Sequence, residues 1–242
     1  MPATAEQKGV AALLSKMREG LGARGRPNVA TRWYAQRHDS TFLRAPWCDM
    51  RVTWAAYHSG TYDAVCFGTD FAWTVAHATA FERRGRWTYG TDGIRAGDVI
   101  FFDWQGGRHS IQRIDHVGVV EKVLQDGRVQ TIEGNTSDAL LRKVRTKATI
   151  TGYGRPDWDR STGIVTLQKG DSGPLVVALQ KDLLKLGHEL PQWGADGDFG
   201  DETVAAVKAF QQSAGSTGKK VDGVVGPKTR AALDKALKAL KQ

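Results

Sequence analysis

Cysteine is scarce in this chain. Only Cys48 and Cys66 occur among 242 residues, too few for a disulfide framework, and no Cys-x-x-Cys pair offers a zinc site. A bridge between the two would silence Cys48; Cys66, followed by Phe67, reads instead as a small core residue. Long apolar runs are lacking too. The stretch Met1 to Gly20 holds only Val10 to Leu14 before Lys16, Arg18 and Glu19 interrupt it. That is an amphipathic helix, neither a signal peptide nor a membrane span, so no membrane insertion is expected. Acidic residues fall short of basic ones, 26 Asp and Glu against 34 Lys and Arg, for a formal net charge of +8. Such a surplus attracts polyanions, whether nucleic acid, anionic wall polymers or acidic lipid surfaces. With no arginine-rich helix and no nucleic-acid-binding signature, nucleic acid is not expected as a partner.

What is present is the composition of a soluble globular protein, 40% hydrophobic and 25% charged, long enough for one large domain or two small ones. After the first helix comes a glycine- and arginine-rich loop, Gly22 to Pro27, then a short helix over Asn28 to Arg37. A helix starting at Cys48 is closed by Gly60, and Asp70 to Arg83 carries Phe71, Val75, Ala78 and Phe81 at helical spacing. At Gly97 the period changes. Gly97 to Trp104 is β-rich and apolar enough to be buried on both faces. His116 to Leu124 and Arg128 to Gly134 read as two strands joined by the two-residue hairpin turn Asp126-Gly127, with a last strand through Thr149 to Gly152. Helices followed by antiparallel strands make an α+β fold over residues 1–158. Residues 159–167 read as a linker and 168–242 as a small domain of three amphipathic helices, Pro174 to Leu186, Asp201 to Gln212 and Pro227 to Leu240. The phrase Asp-Gly-x-x-Gly-x-x-Thr precedes or opens the last two, at Asp196 to Thr203 and Asp222 to Thr229, as an internal repeat.

The chemistry gathers around Cys48. A thiol at a helix N-terminus faces unpaired N–H groups and the positive end of the helix dipole, which favour thiolate. A two-residue turn at Asp126-Gly127 would set Val120 opposite Glu133 and Gly118 opposite Asn135. His116, Glu133 and Asn135 then share one face of the hairpin, with Asn135 diagonal to His116. A base beside a thiol, its other ring nitrogen oriented by a carboxylate or amide, is what a cysteine hydrolase requires. The remaining histidines, His38, His58, His77, His109 and His188, have no such company in the sequence.

In order and spacing, Pro46-Trp47-Cys48 leading into a helix, Gly97-Asp98-Val99-Ile100-Phe101-Phe102, His116-Val117-Gly118-Val119-Val120 and Ile132-Glu133-Gly134-Asn135 resemble the CHAP family. Its members are cysteine- and histidine-dependent amidohydrolases and peptidases of peptidoglycan with a papain-like α+β core. The resemblance implies Cys48 as nucleophile, His116 as general base, Glu133 and Asn135 as supports of the imidazole, and the Cys48 backbone N–H as part of the oxyanion site. Trp47 is a candidate substrate contact. Some members carry an acidic calcium loop upstream of the cysteine; Gly22 to Ala45 offers only Asp39, so no metal and no cofactor are expected. Residues 168 to 240 resemble the three-helix peptidoglycan-binding domain, with Trp193 and Gln212 as candidate ligand contacts. Together these imply a modular peptidoglycan hydrolase of the bacteriophage endolysin type. It would act as a monomer and wait in the host cytoplasm, without a signal peptide, until a holin opens the membrane. The competing expectations are a wall-binding protein without chemistry and a cytoplasmic cysteine amidase acting on a small molecule.

Overall fold

A computed structural model describes residues 2–106, 110–160, 166–172 and 174–240, without the side chain of Pro174. His109 and most of the expected linker lie outside the described residues. The chain divides into two compact units, residues 1–163 and 164–242.

In the first unit, helices α1 (Ala5–Arg18), α2 (Val29–Arg37), α3 (Cys48–His58), α4 (Tyr62–Val65) and α5 (Thr74–Glu82) precede the sheet. The strands are β1 (Trp87–Tyr89), β2 (Val99–Phe102), β3 (His116–Val123), β4 (Val129–Thr136), β5 (Ala139–Arg145) and β6 (Ile150–Gly154). They form one six-stranded sheet in the order β1-β6-β2-β3-β4-β5, with every neighbouring pair antiparallel. The α+β reading holds, with two strands, β1 and β5, that the sequence pattern does not announce. β2 is buried along its whole length, as its apolar run predicts.

Helix α3 is buried at every position and is the centre of this unit. Two features seat it. The Arg51 guanidinium, 1% exposed, donates to the carbonyls of Lys16, Met17 and Glu19 and so takes up the bare C-terminal end of α1. Gly134 on β4 lets the helix come close, since a Cβ there would stand 2.8 Å from Arg51 Cβ and 2.9 Å from the Trp47 ring.

Helix α5 starts later than its periodicity suggests. Asp70 to Trp73 stay outside it because their polar groups are engaged elsewhere. Phe71 N–H donates to Thr53 Oγ1, which donates to the Phe71 carbonyl. The Asp70 carboxylate accepts from Arg37 and Tyr62 and contacts His38, which fastens this segment to its neighbours.

The hairpin between β3 and β4 corrects the expected register. Leu124 N–H donates to the Arg128 carbonyl, so the loop is Gln125-Asp126-Gly127, with Gly127 in the left-handed region at φ 78°. This is the three-residue hairpin with a terminal left-handed glycine. It moves the pairing by one residue, giving Val123↔Val129, and an irregularity at Glu121 moves it by one more, giving Val119↔Ile132. One slip would have turned every side chain to the other face, and the second restores them. Continuing that register sets Gly118 opposite Glu133, where a Cβ on Gly118 would stand 2.7 Å from Glu133 Cγ.

The second unit contains α6 (Pro174–Lys185), α7 (Asp201–Ser213) and α8 (Pro227–Ala239) around Leu179, Leu183, Phe199, Val207, Phe210 and Leu233. The repeated phrase has a structural use. Buried Gln180 donates to Asp196 Oδ1, the Asp198 carbonyl and Thr203 Oγ1 and accepts from Gly197 N–H. Buried Gln211 makes the same four contacts, with Asp222, Val224, Thr229 and Gly223. Each glutamine folds one Asp-Gly turn onto the helix before it, so the motif residues are occupied within the fold.

Candidate active site

Cys48 is the first residue of α3 and Trp47 its N-cap. The thiol is 6% exposed and not bridged to Cys66, which is fully buried. The N–H groups of Asp49, Val117 and Cys48 itself bear on the sulfur, which places it against β3 one residue from His116. Here the structure departs from the sequence expectation. Burial pushes the Cys48 thiol up to about 12, the neighbouring Asp49 adds to the effect, and the three N–H groups offset only part of it. Cys48 therefore rests as a thiol, and the favourable helix end is outweighed by the loss of water.

His116 opens β3 and is 6% exposed. Its Nε2 lies 2.9 Å from Glu133 Oε2, with Thr136 Oγ1 at 3.4 Å. Burial alone would raise the Glu133 carboxyl, but Arg145, then His116 and Thr131, hold it at about 2. At neutral pH Glu133 is therefore a carboxylate and can only accept. Nε2 must carry a proton, and in the neutral ring the lone pair falls on Nδ1. This is the tautomer that can receive a thiol proton.

The carboxylate is held by groups the sequence reading missed. Arg145 grips it with both arms, Nε to Oε1 at 2.9 Å and Nη2 to Oε2 at 2.6 Å. Thr131 donates to Oε1 at 2.5 Å and Thr136 to Oε2 at 3.1 Å. The Arg145 guanidinium lies 4.6 Å from the Trp104 ring centroid, and Trp104 stands 5.5 Å from the His116 ring and stacks on Phe102. Trp104, 42% exposed, thus covers one side of the imidazole. Arg145 sits on β5, whose only alternation is of charged and aliphatic residues, and that pattern hid it. The discoverable signal was the buried glutamate itself, which demands a cation.

Asn135 stands apart from this network. It is in the left-handed region at φ 60°, and its side chain makes no hydrogen bond to His116 among the described residues. The irregularity between Glu133 and Thr136 brings Thr136 to the position expected of Asn135. Trp47 is 3% exposed; its ring packs over Gly134 and its indole N–H donates to Asp138 Oδ1 at 3.1 Å, so it is a wall of the site. In the second unit Trp193 is 66% exposed and Gln212 is also at the surface, both open to a ligand.

Residues 40–135 match the CHAP domain family, and this stretch contains Cys48, His116 and Glu133. The chain carries a CHAP domain. Residues 172–233 match the peptidoglycan-binding domain family. The chain is 53% identical over 74 residues to the N-acetylmuramoyl-L-alanine amidase CwlL of Bacillus licheniformis, covering 31% of this chain and 19% of that protein. It is 42% identical over 99 residues to a second B. licheniformis protein named as a probable N-acetylmuramoyl-L-alanine amidase, covering 41% and 26%. It is also 41% identical over 78 residues to the type VI secretion spike protein VgrG3 of Vibrio cholerae, covering 29% and 8%. The chain thus spans about a fifth to a quarter of the length of the two B. licheniformis relatives. No solved structure matches. The CHAP match ends at residue 135, so Arg145 and its strand lie beyond it.

Proposed function

We propose that this protein hydrolyses an amide bond of peptidoglycan through a thioester on Cys48, with residues 172–233 keeping the enzyme on the polymer. The observation that carries this is the His116 imidazole, held by a buried carboxylate through Nε2 at the start of the strand whose next residue, Val117, donates to the Cys48 sulfur. His116 takes the thiol proton as sulfur attacks the scissile carbonyl. The tetrahedral oxyanion is stabilised by N–H groups at the start of α3. On collapse the amine leaves with the proton from His116, and water, deprotonated by the same imidazole, releases the carboxylic acid. Since the resting thiol is protonated, proton transfer belongs to the attack itself rather than to a standing thiolate.

Tethering by the second unit raises the local concentration of the first along the wall, and a net charge of +8 suits walls bearing anionic polymers. Two similar proteins are named amidases, but the matched stretches of 74 and 99 residues are shorter than the 163-residue first unit. The bond is therefore to be read from products, by mass spectrometry of fragments released from a defined wall.

The test is turbidity loss of a wall suspension. Wild type should clear it and Cys48→Ala should not, while both sediment with walls. Equal clearing by both would remove the thiol mechanism, and sedimentation without clearing by either would favour the wall-binding alternative. An endolysin role predicts that expression inside bacteria lyses them only when a holin is co-expressed.

A further inference from the structure

Beside the catalytic residues lies a depression of 320 Å³ lined by Arg26, Arg44 and Asp138. It is joined to the reaction centre at two points. Asp138 Oδ1 accepts from the indole of Trp47, the residue before Cys48. Asp138 also follows by two residues Thr136, whose hydroxyl touches His116 and Glu133.

The charge of the depression is unbalanced. Asp138 Oδ1 is shared between Trp47 Nε1 and Arg26 Nε, the latter at 3.0 Å, so one oxygen of the single carboxylate is already committed. The Arg26 Nη1 arm donates to the Arg44 carbonyl at 2.8 Å, which fixes the loop bearing Arg44 against it. The Arg44 guanidinium itself is exposed and has no ion-pair partner among the described residues. Two guanidiniums against one carboxylate leave room for one more anionic group.

The backbone around it is held at a cost. Asn135, Ser137 and Asp138 adopt φ of 60°, 51° and 54°, a region unfavourable for residues with a Cβ. They are kept there by the Arg24 loop, where Gly25 N–H donates to the Asp138 carbonyl at 2.8 Å and Leu140 N–H to the Ala23 carbonyl at 3.0 Å. Strained turns sewn down in this way concentrate at binding sites.

We propose that this depression is an anion subsite of the active site, in which Arg26 and Arg44 receive a free carboxylate of the peptide being cut. The proposal rests on the peptidoglycan reading above. An arginine fork recognises a planar carboxylate through paired hydrogen bonds, and its cost falls on substrates that lack the charge. A phosphodiester of a wall-linked polymer is the other source of such an anion. The carboxylate is favoured because the subsite is tied directly to the residue before the nucleophile, where the peptide must lie.

The experiment compares soluble peptidoglycan fragments whose stem carboxylates are free with the same fragments converted to carboxamides. Wild type should prefer the free form by roughly tenfold or more in kcat/KM, the worth of a charge-assisted hydrogen bond. Arg44→Gln should reduce that preference to near unity, mainly through a raised KM for the free-carboxylate substrate. Glycerol phosphate oligomers should not compete. No preference in wild type, an equal loss on both substrates in Arg44→Gln, or competition by the oligomer would each overturn the assignment. The full-length Cys48→Ala protein separates this from the catalytic reading. At equal fragment concentration the NMR signal of the Trp47 indole N–H should shift further with free-carboxylate fragments than with amidated ones, whether or not the wild type cleaves either, and equal shifts would overturn the assignment.

Discussion

The Glu133–Arg145 pair gives the sharpest test of how the site is held. Glu133 is wholly buried and Arg145 is 19% exposed at its side chain, and two hydrogen bonds join them. Arg145→Met keeps an unbranched stem beside Trp104 but removes the cation. The carboxylate would then face only His116, Thr131 and Thr136, and burial would no longer be offset. Removing one partner of a buried pair costs about 3–5 kcal/mol, because a buried charge is left uncompensated. For a unit of 163 residues that corresponds to a fall in Tm of roughly 6–20 °C. The assay is calorimetry of the full chain. The double variant Glu133→Gln/Arg145→Met leaves no bare charge and should be more stable than Arg145→Met alone. Acid behaviour supplies an independent reading. Glu133 is held at about 2 against an ordinary 4.5. Its contribution is thus complete above about pH 4.5 and is lost as the pH falls towards 2. A single-variant cost below about 1 kcal/mol, the range of surface ion pairs, together with a double variant no more stable than the single, would refute this reasoning.

Three further outcomes follow from the geometry. Alkylation of Cys48 by iodoacetamide, followed by mass spectrometry without substrate, should show no thiolate plateau near pH 7 and should keep rising with pH through the alkaline range, since burial lifts the thiol to about 12; a plateau near neutrality would refute the buried-thiol picture. Gln180→Leu and Gln211→Leu should each cost about 2–4 kcal/mol by stranding buried polar partners, and calorimetry should find them equal within error, because their contacts are the same. His77→Leu should cost about 1–3 kcal/mol in calorimetry: His77 bonds Asp49 at 2.8 Å and the Val65 carbonyl at 3.0 Å, and its loss leaves these fully buried partners unmet. A folded His77→Leu protein as stable as wild type would sink that link.

The sequence made the helices and the order of the motifs around Cys48, His116 and Glu133 legible because these depend on local periodicity and turn chemistry. Cys48 at the mouth of α3 and His116 at the start of β3 are placed by neighbours in the chain. Arg145 was not legible. Its strand pairs with β4 through Glu133↔Leu141 and Thr131↔Lys143, while outward-facing Val144 is 44% exposed, so no apolar face advertises the strand. The register was misread because a two-residue turn and a three-residue turn share the Asp-Gly signature. His116 and Glu133 nevertheless met, because the hairpin slips twice and parity alone decides which face a side chain occupies. Asn135 failed for the complementary reason, since a left-handed residue leaves the strand and its alternation no longer applies.

The state of the Cys48 thiol shows why position alone misleads. A helix N-terminus lowers a thiol through N–H groups it shares with water or substrate, and that benefit requires the sulfur to keep some solvation. At Cys48 the same packing that brings the sulfur to β3, through Gly134 and the buried Trp47, strips that solvation away. The two effects have one structural cause, so they cannot be tuned apart by changing the helix. Lowering the thiol requires lifting the start of α3 off the sheet, which would also take Cys48 away from β3 and His116. On the proposed mechanism a substrate that fills the site would resolve the conflict without moving either element: the charge formed on attack would reside on the carbonyl oxygen and the imidazolium, not on sulfur, and Glu133, held as a carboxylate by Arg145, lies against His116 Nε2 to stabilise the second of these.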